Sequence, residues 1–154
     1  MRVVVNTSPL IALERIGRLS ILKQLYGTII RPQSVLNELH AGRDHYPLST
    51  ELEGAAWITT EPDPPDIDLR KDLGPGETAV IALALKTNAD LVILDDLQAR
   101  LVAASLGLNL TGTLGVMLAA HQAGYLADIK DALQQLVRVG FRVPAFVMTQ
   151  HGLT

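Results

Sequence analysis

Short β-branched or apolar runs alternate along the chain with helix-length segments, and this alternation constrains the fold more than any other feature. The strand-like runs lie at residues 3–5, 28–31, 57–60, 91–94 and 108–110. Helical spacing, with proline at starts and glycine at ends, predicts helices over 9–17, 21–26, 32–42, 75–86, 97–106, 113–121, 129–139 and 145–150. Strands separated by helices predict an α/β protein whose central parallel sheet is flanked by helices.

Length and composition fit one folded unit. The chain has 154 residues, 48% of them hydrophobic and 19% charged, so we expect a single domain over 1–154 with a well-packed core. Cysteine is absent, which excludes disulfides, a thiolate nucleophile and a Cys-ligated metal site. Any chemistry must come from oxygen and imidazole groups.

Charge and hydropathy limit the cellular locations and the binding partners that the sequence allows. The longest apolar runs, such as residues 79–85, fall far short of the ~18 residues of a membrane-spanning helix. Polar residues interrupt the N-terminus too early for a secretory signal, so we expect a cytoplasmic protein without membrane contact. The net charge of −3 disfavours broad electrostatic capture of nucleic acid but leaves local basic patches and metal-bridged contacts open.

Polar residues follow three of the predicted strands at the point where each strand ends. They are Asn6, Thr7 and Ser8 after the first strand, Asp95 and Asp96 after a central one, and Thr111 and Thr113 after a late one. In open parallel sheets, functional groups gather beyond the carboxyl ends of the strands. This edge of the predicted sheet is therefore the candidate site.

Asp95 and Asp96 allow two interpretations. Asp96 can be an ordinary helix cap that pairs with Arg100 one turn later. Asp95 is the better ligand candidate, because a second carboxylate beside a buried strand end is costly unless it is paired or binds a cation. If Asp95 shared a site with other carboxylates, removing its charge would raise the melting temperature without metal; if it only capped a helix, removing it would lower that temperature.

The other polar candidates are ambiguous when each is taken alone. Glu77 lies in the first turn of a helix, where the helix dipole favours any carboxylate. Glu38 borders a helical stripe, Asn6 can reflect a turn, and Ser8 has an obvious capping role before Pro9. The four histidines show no metal-ligand spacing, and the chain has neither GxxxxGK nor GxGxxG.

The ordered set of these segments resembles the PIN domain, the fold of many bacterial toxin ribonucleases. Closer similarity is to an uncharacterised PIN-like branch of bacteria and archaea. The matching segments extend along nearly the whole chain and comprise Val5-Asn6-Thr7-Ser8-Pro9-Leu10, Glu38, Gly76-Glu77, Leu94-Asp95-Asp96 with Ala99-Arg100, and Thr111-Gly112-Thr113-Leu114-Gly115. The resemblance implies a three-layer PIN-like fold.

The resemblance also implies a chemistry. PIN domains gather three or four acidic residues around Mg²⁺ or Mn²⁺ and cut single-stranded RNA, typically as the toxin of a toxin–antitoxin pair and commonly as homodimers. Glu38, Glu77 and Asp95 match the second, third and fourth acidic positions, and Asp96 is a possible auxiliary ligand. Asn6 stands where the family has Asp, and its amide oxygen can ligate a dication without adding charge.

The phosphate of a substrate has two further candidate contacts, Ser8 and Arg100. The sequence thus favours a metal-dependent endoribonuclease with a small antitoxin as partner. The alternative is a catalytically weak or inactive PIN-like module that binds RNA or an antitoxin, because Asn6 replaces the first acid. A third interpretation, a small nucleotide or phosphate binder, is disfavoured by the missing phosphate loops.

Overall fold

Five parallel strands form the centre of the molecule. The computed structural model describes residues 1–65, 69 and 72–153. The strands are β1 (Val3–Val5), β2 (Ile29–Pro32), β3 (Ile58–Glu61), β4 (Leu91–Ile93) and β5 (Leu110–Thr111), in the order β3-β2-β1-β4-β5. Val4 of β1 pairs with Ile30 on one side and with Val92 on the other. The predicted parallel sheet is confirmed.

Helices cover the sheet on both sides. They are α1 (Thr7–Arg15), α2 (Ser20–Tyr26), α3 (Gln33–Ala41), α4 (Thr50–Gly54), α5 (Pro75–Thr87), α6 (Leu97–Ser105), α7 (Thr113–Gln122), α8 (Ile129–Arg138) and α9 (Ala145–Gln150). Helix α5 packs on β1, β2 and β4 between α3 and α6, whereas α2 contacts β2, α7 contacts β5, and α2 and α8 pack against α7. The predicted three-layer α/β architecture is confirmed.

The core explains why these segments form these elements. All three residues of β1 are fully buried, as is most of α5 from Ala79 to Ala84. A central parallel strand with helices on both faces has no polar side, so it shows a continuous β-branched run. The same burial on several sides explains the nearly continuous apolar run of α5 from Ala79 to Leu85.

The start of the first helix differs from the sequence-based expectation. Ser8 and Pro9 were expected to cap and begin the first helix, but α1 begins at Thr7 with Asn6 at its N-cap. Extended backbone at Asn6 ends β1 directly against the helix, leaving no turn between them. The Ser8 side chain is therefore not a cap and is free to make other contacts.

Helix α4 has no counterpart in the predicted elements. It has five residues, of which only Leu52 is buried, so it carries no readable periodicity. Arg31 of β2 is 1% exposed and donates to the carbonyl oxygens of Leu52 at 2.7 Å and Glu53 at 3.1 Å. Burial lowers the pKa of Arg31, and the nearby Glu53 carboxylate acts in the opposite direction. This buried arginine ties α4 to the sheet.

Within the part of the chain that the structure describes, no helix is both long enough and apolar enough to span a bilayer.

Candidate active site

A cleft of about 410 Å³ opens beyond the carboxyl end of β1. Asn6, Thr7 and Ser8 at the start of α1 line it together with Glu38 of α3 and Glu77 of α5. Three helices thus bring polar groups from distant parts of the sequence to one edge of the sheet. This is the edge where parallel sheets place their ligand sites.

Asn6 is buried in the wall of the cleft with an unused acceptor. Its residue exposure is 5%, and its backbone amide donates to the Ile93 carbonyl oxygen at 3.0 Å, which fixes it between β1 and β4. Its side chain makes no capping hydrogen bond to α1, and Oδ1 is buried without any partner. A buried acceptor left unsatisfied costs about 1–3 kcal/mol, so this oxygen is poised for a ligand.

Glu38 is held at the cleft by two neighbours. Its Oε2 accepts a hydrogen bond from Thr7 Oγ1 at 2.8 Å. A methyl group on Gly76 would overlap the Glu38 carboxylate, so the carboxylate of α3 lies directly against the first turn of α5. The missing side chain at Gly76 therefore lets α3 present its acid to the cleft.

Glu77 lies one residue further along α5, in its first turn. A Cβ added to Gly74, the N-cap, would lie 2.6 Å from Glu77 Oε2, which shows that the carboxylate bends back over the helix start. The helix dipole stabilises negative charge at this position. Glu77 is half-buried and lines the cleft.

Asp95 is placed differently from the two glutamates. It does not line the cleft; its carboxylate accepts from the Thr113 backbone amide and from Thr113 Oγ1, both at 2.7 Å. Ser8 Oγ also donates to Asp95, at 3.3 Å. Asp95 therefore anchors the start of α7, and it is joined to the cleft margin through Ser8.

Asp96 and Arg100 do not form the pair that the sequence suggests. Asp96 is the N-cap of α6 and accepts from the Ala99 amide at 2.9 Å. Arg100 Nη1 instead donates to the Leu94 carbonyl oxygen at 2.8 Å. The expected ion pair is wrong because the carbonyl at the end of β4 lies within reach of the guanidinium, while the cap already engages Asp96.

The structure thus brings Asn6, Glu38 and Glu77 to one cleft and leaves Asp95 and Asp96 outside it. Among residues 1–65, 69 and 72–153, no group of three or more His, Asp or Glu side chains is close enough to hold a metal ion. The donors of the cleft still fit a hard dication, because Mg²⁺ is commonly bound by one or two carboxylates with water completing its shell. The unpartnered Asn6 oxygen would be the third protein donor.

Sequence reasoning missed two residues that line the cleft. Arg15 and Tyr46 both line it, with the Arg15 guanidinium carbon 4.5 Å from the centre of the Tyr46 ring. Arg15 Nη1 also donates to the Val139 carbonyl oxygen at 2.8 Å. Tyr46 follows α3 in a stretch without regular periodicity, so the sequence contains no signal that it meets α1.

The three-layer parallel architecture and its carboxylate-lined edge define a PIN-like α/β protein. A family model described as DUF3368, PIN domain, matches residues 2–151, and the chain belongs to that family. PIN domains are typically metal-dependent nucleases, so membership places the chain with hydrolases at the family level.

A solved structure shares the fold. It is a PilT N-terminus domain protein from the hyperthermophilic archaeon Sulfolobus solfataricus P2, with a TM-score of 0.58 and 16% identity over 78% of this chain and 93% of that one. At this identity the likeness concerns the fold alone. No curated protein matches the chain.

Proposed function

We propose that the protein is a metal-dependent endoribonuclease that cleaves single-stranded RNA, with Mg²⁺ or Mn²⁺ held by Asn6, Glu38 and Glu77. One observation carries the proposal: Asn6, whose side-chain oxygen is buried without a hydrogen-bond partner, lines the same cleft as the carboxylate residues Glu38 and Glu77. An unsatisfied buried acceptor is rare and calls for a functional explanation. A cation between these oxygens would satisfy the amide and offset the negative charge of the glutamates.

The residues of the cleft would have different roles in metal binding and in substrate binding. When bound, the ion supplies Lewis acidity for attack of water on a phosphodiester. Thr7 holds Glu38 through its hydroxyl, and the first turn of α5 holds Glu77. Ser8 is exposed at the margin, where its hydroxyl can donate to a substrate phosphate in place of Asp95.

The biological setting is also part of the proposal. The family resemblance supports a toxin with a small antitoxin protein as partner, acting in the cytoplasm as a homodimer. A short gene for a DNA-binding antitoxin directly beside the gene of this protein is the expected arrangement. Adding the purified product of that neighbouring gene to the purified protein should suppress RNA cleavage.

A cleavage assay tests the catalytic proposal. A labelled single-stranded RNA should be cut with Mn²⁺, and EDTA should stop the reaction. Glu38→Gln and Glu77→Gln keep the shape of each side chain but remove a charged ligand, so each should lower the rate at least tenfold. Glu61→Gln is the matched control, because Glu61 ends the edge strand β3 and does not line the cleft. Cleavage that survives EDTA or both glutamate substitutions would overturn the mechanism.

A binding module without cleavage is the second candidate. Two observations favour it: Asn6 provides no charge, and the described residues contain no group of three acids around one point. It predicts that RNA is bound but remains intact with Mn²⁺, which the same assay resolves by gel.

A further inference from the structure

The Arg15 and Tyr46 side chains form a ridge between two cavities. Both residues line the acidic cleft, and both also line a neighbouring cavity of about 370 Å³. Buried and half-buried apolar side chains make up much of that second cavity: Ile11, Leu39, Leu48 and Leu52. The Arg15–Tyr46 ridge thus separates the cleft that holds Glu38 and Glu77 from a more apolar cavity, whose polar lining residues besides the ridge are Glu14 and His45.

One residue of the ridge, Arg15, is anchored by a hydrogen bond, and the other, Tyr46, is exposed. The carbonyl oxygen of Val139 anchors the Arg15 guanidinium, which lies over the Tyr46 ring, while Tyr46 as a residue is 43% exposed. No carboxylate of the described residues forms an ion pair with Arg15. The planar cation therefore keeps its charge available beside a cleft that otherwise carries two acids.

This chemistry matches a nucleotide. A guanidinium binds phosphate oxygens through paired N–H groups, and unpaired bases stack on tyrosine rings and on guanidinium planes. A phosphate placed over the cleft would meet Arg15, and the attached base would reach the exposed Tyr46 ring and the apolar cavity beyond it. Only an unpaired base can stack in this way.

We infer that the Arg15–Tyr46 ridge binds an unpaired nucleotide of the substrate strand next to the phosphate that is cut. Arg15 contacts the backbone phosphate and Tyr46 stacks on the base. The inference rests on the proposed nuclease function of the cleft and adds to it a subsite that selects single strands over duplexes. It needs no metal, since both contacts come from the protein.

Binding of a fluorescein-labelled single-stranded RNA, followed by anisotropy in EDTA, tests the phosphate contact. Arg15→Gln should weaken binding about tenfold and lower the slope of log K against log salt by about 0.7, the value for one phosphate contact on a single strand. Arg2→Gln is the matched control, because the Arg2 guanidinium likewise donates to a backbone carbonyl, Thr87 O at 3.1 Å, but precedes β1 at the opposite edge of the sheet. Undetectable wild-type binding, or equal slopes for the two variants, would overturn the inference.

A second arm tests stacking. A 2-aminopurine in the RNA should be quenched by wild type and by Tyr46→Phe, which keeps the ring, but not by Tyr46→Leu. A fully paired RNA duplex should bind the wild type at least tenfold more weakly than the single strand. Equal quenching by the leucine variant would contradict base stacking, and melting curves show that each variant is folded.

The ridge and the proposed function fail in different ways. If Glu38→Gln abolishes cleavage but Arg15→Gln and Tyr46→Leu leave KM and RNA affinity unchanged, the ridge inference is wrong and the nuclease proposal stands. If RNA binds in a ridge-dependent way but is never cut with Mn²⁺, the nuclease proposal is wrong and the ridge is the subsite of a binding module.

Discussion

The amide of Asn6 combines two properties that rarely coincide, since its oxygen is buried and has no hydrogen-bond partner. The extended backbone of Asn6 and the hydrogen bond from its amide to the Ile93 carbonyl oxygen fix the residue at the β1–α1 junction. A ligand that supplies positive charge would therefore recover the energy lost on burial.

Asn6→Asp should show separately how a buried charge at this position affects stability without metal and how it affects metal affinity. In EDTA the buried carboxylate, which would share the cleft with Glu38 and Glu77, should lower the melting temperature, because burial and like charges both disfavour its ionised form. With Mn²⁺ the variant should gain more stability than wild type, since charge count sets dication affinity. A tenfold tighter Kd adds about 1.4 kcal/mol at saturating metal, and RNA cleavage should become faster. Melting curves with EDTA and with Mn²⁺ measure both effects.

Asn37→Asp provides the control for that comparison. Asn37 lies exposed on α3, so the substitution adds the same charge outside the cleft. Its response to Mn²⁺ should equal that of wild type. A wild type and an Asn6→Asp variant that both ignore Mn²⁺ would remove the case for a cation at Asn6.

Asp95 belongs to the same edge of the sheet but is engaged in structure. Because both of its oxygens bind Thr113, which is fully buried, Asp95→Ala should destabilise the protein by about 1–3 kcal/mol through unsatisfied donors. Asp95→Asn should cost less, since its amide oxygen can still accept from the Thr113 backbone. Because of these hydrogen bonds, we no longer expect Asp95→Asn to raise the melting temperature through relief of repulsion between carboxylates.

Thermal melts in EDTA measure these two variants. Asp44→Ala is the comparison, since Asp44 is exposed in the segment after α3. An Asp95→Asn variant that melts above wild type would mean that repulsion with Glu38 and Glu77 outweighs the hydrogen bonds to Thr113.

The approach of two helices, α3 and α5, decides where the cleft acids lie. Alanine is favoured over glycine by about 1 kcal/mol within a helix, yet at Gly76 its methyl group would occupy the space of the Glu38 carboxylate. Gly76→Ala should therefore leave the protein folded but displace Glu38, so that cleavage falls at least tenfold and stabilisation by Mn²⁺ shrinks. Cleavage rates and melting temperatures with and without Mn²⁺ report the two effects.

The same substitution at Gly54 is the control. Gly54 ends α4, and a Cβ added there meets nothing within 4 Å. Gly54→Ala should leave cleavage and the response to Mn²⁺ unchanged. If Gly76→Ala also leaves cleavage and the response to Mn²⁺ unchanged, the position of the Glu38 carboxylate against α5 is not needed for activity.

At the scale of the whole molecule, local signals were enough to predict the sheet and most helices. The β-branched run at 3–5 and the proline and glycine at the ends of α3 act over a few residues, so they can be seen in the sequence. The strand-end rule also directed attention to Asn6. Helix α4 escaped prediction because its stability comes from the buried Arg31, whose partners lie more than twenty residues away.

The candidate site was less predictable, for the same physical reason. That Asp95 binds Thr113, or that Arg15 lies over Tyr46, depends on how distant elements pack. A carboxylate after a strand is compatible with a ligand or with an anchor for another helix, and only the position of α7 decides between them for this structure. The cleft contains Asn6, Glu38 and Glu77 because parts of α1, α3 and α5 meet at one edge of the sheet.

The central position of β1 has a consequence for the timing of synthesis. β1 emerges first from the ribosome, but its neighbour β4 lies 88 residues later in the chain. At a synthesis rate of about 5–20 residues per second, this interval is roughly 4–18 s. During that time the apolar β1 lacks one of its two partners and Asn6 lacks the Ile93 carbonyl that positions it. The cleft can therefore be completed only after β4 has been synthesised.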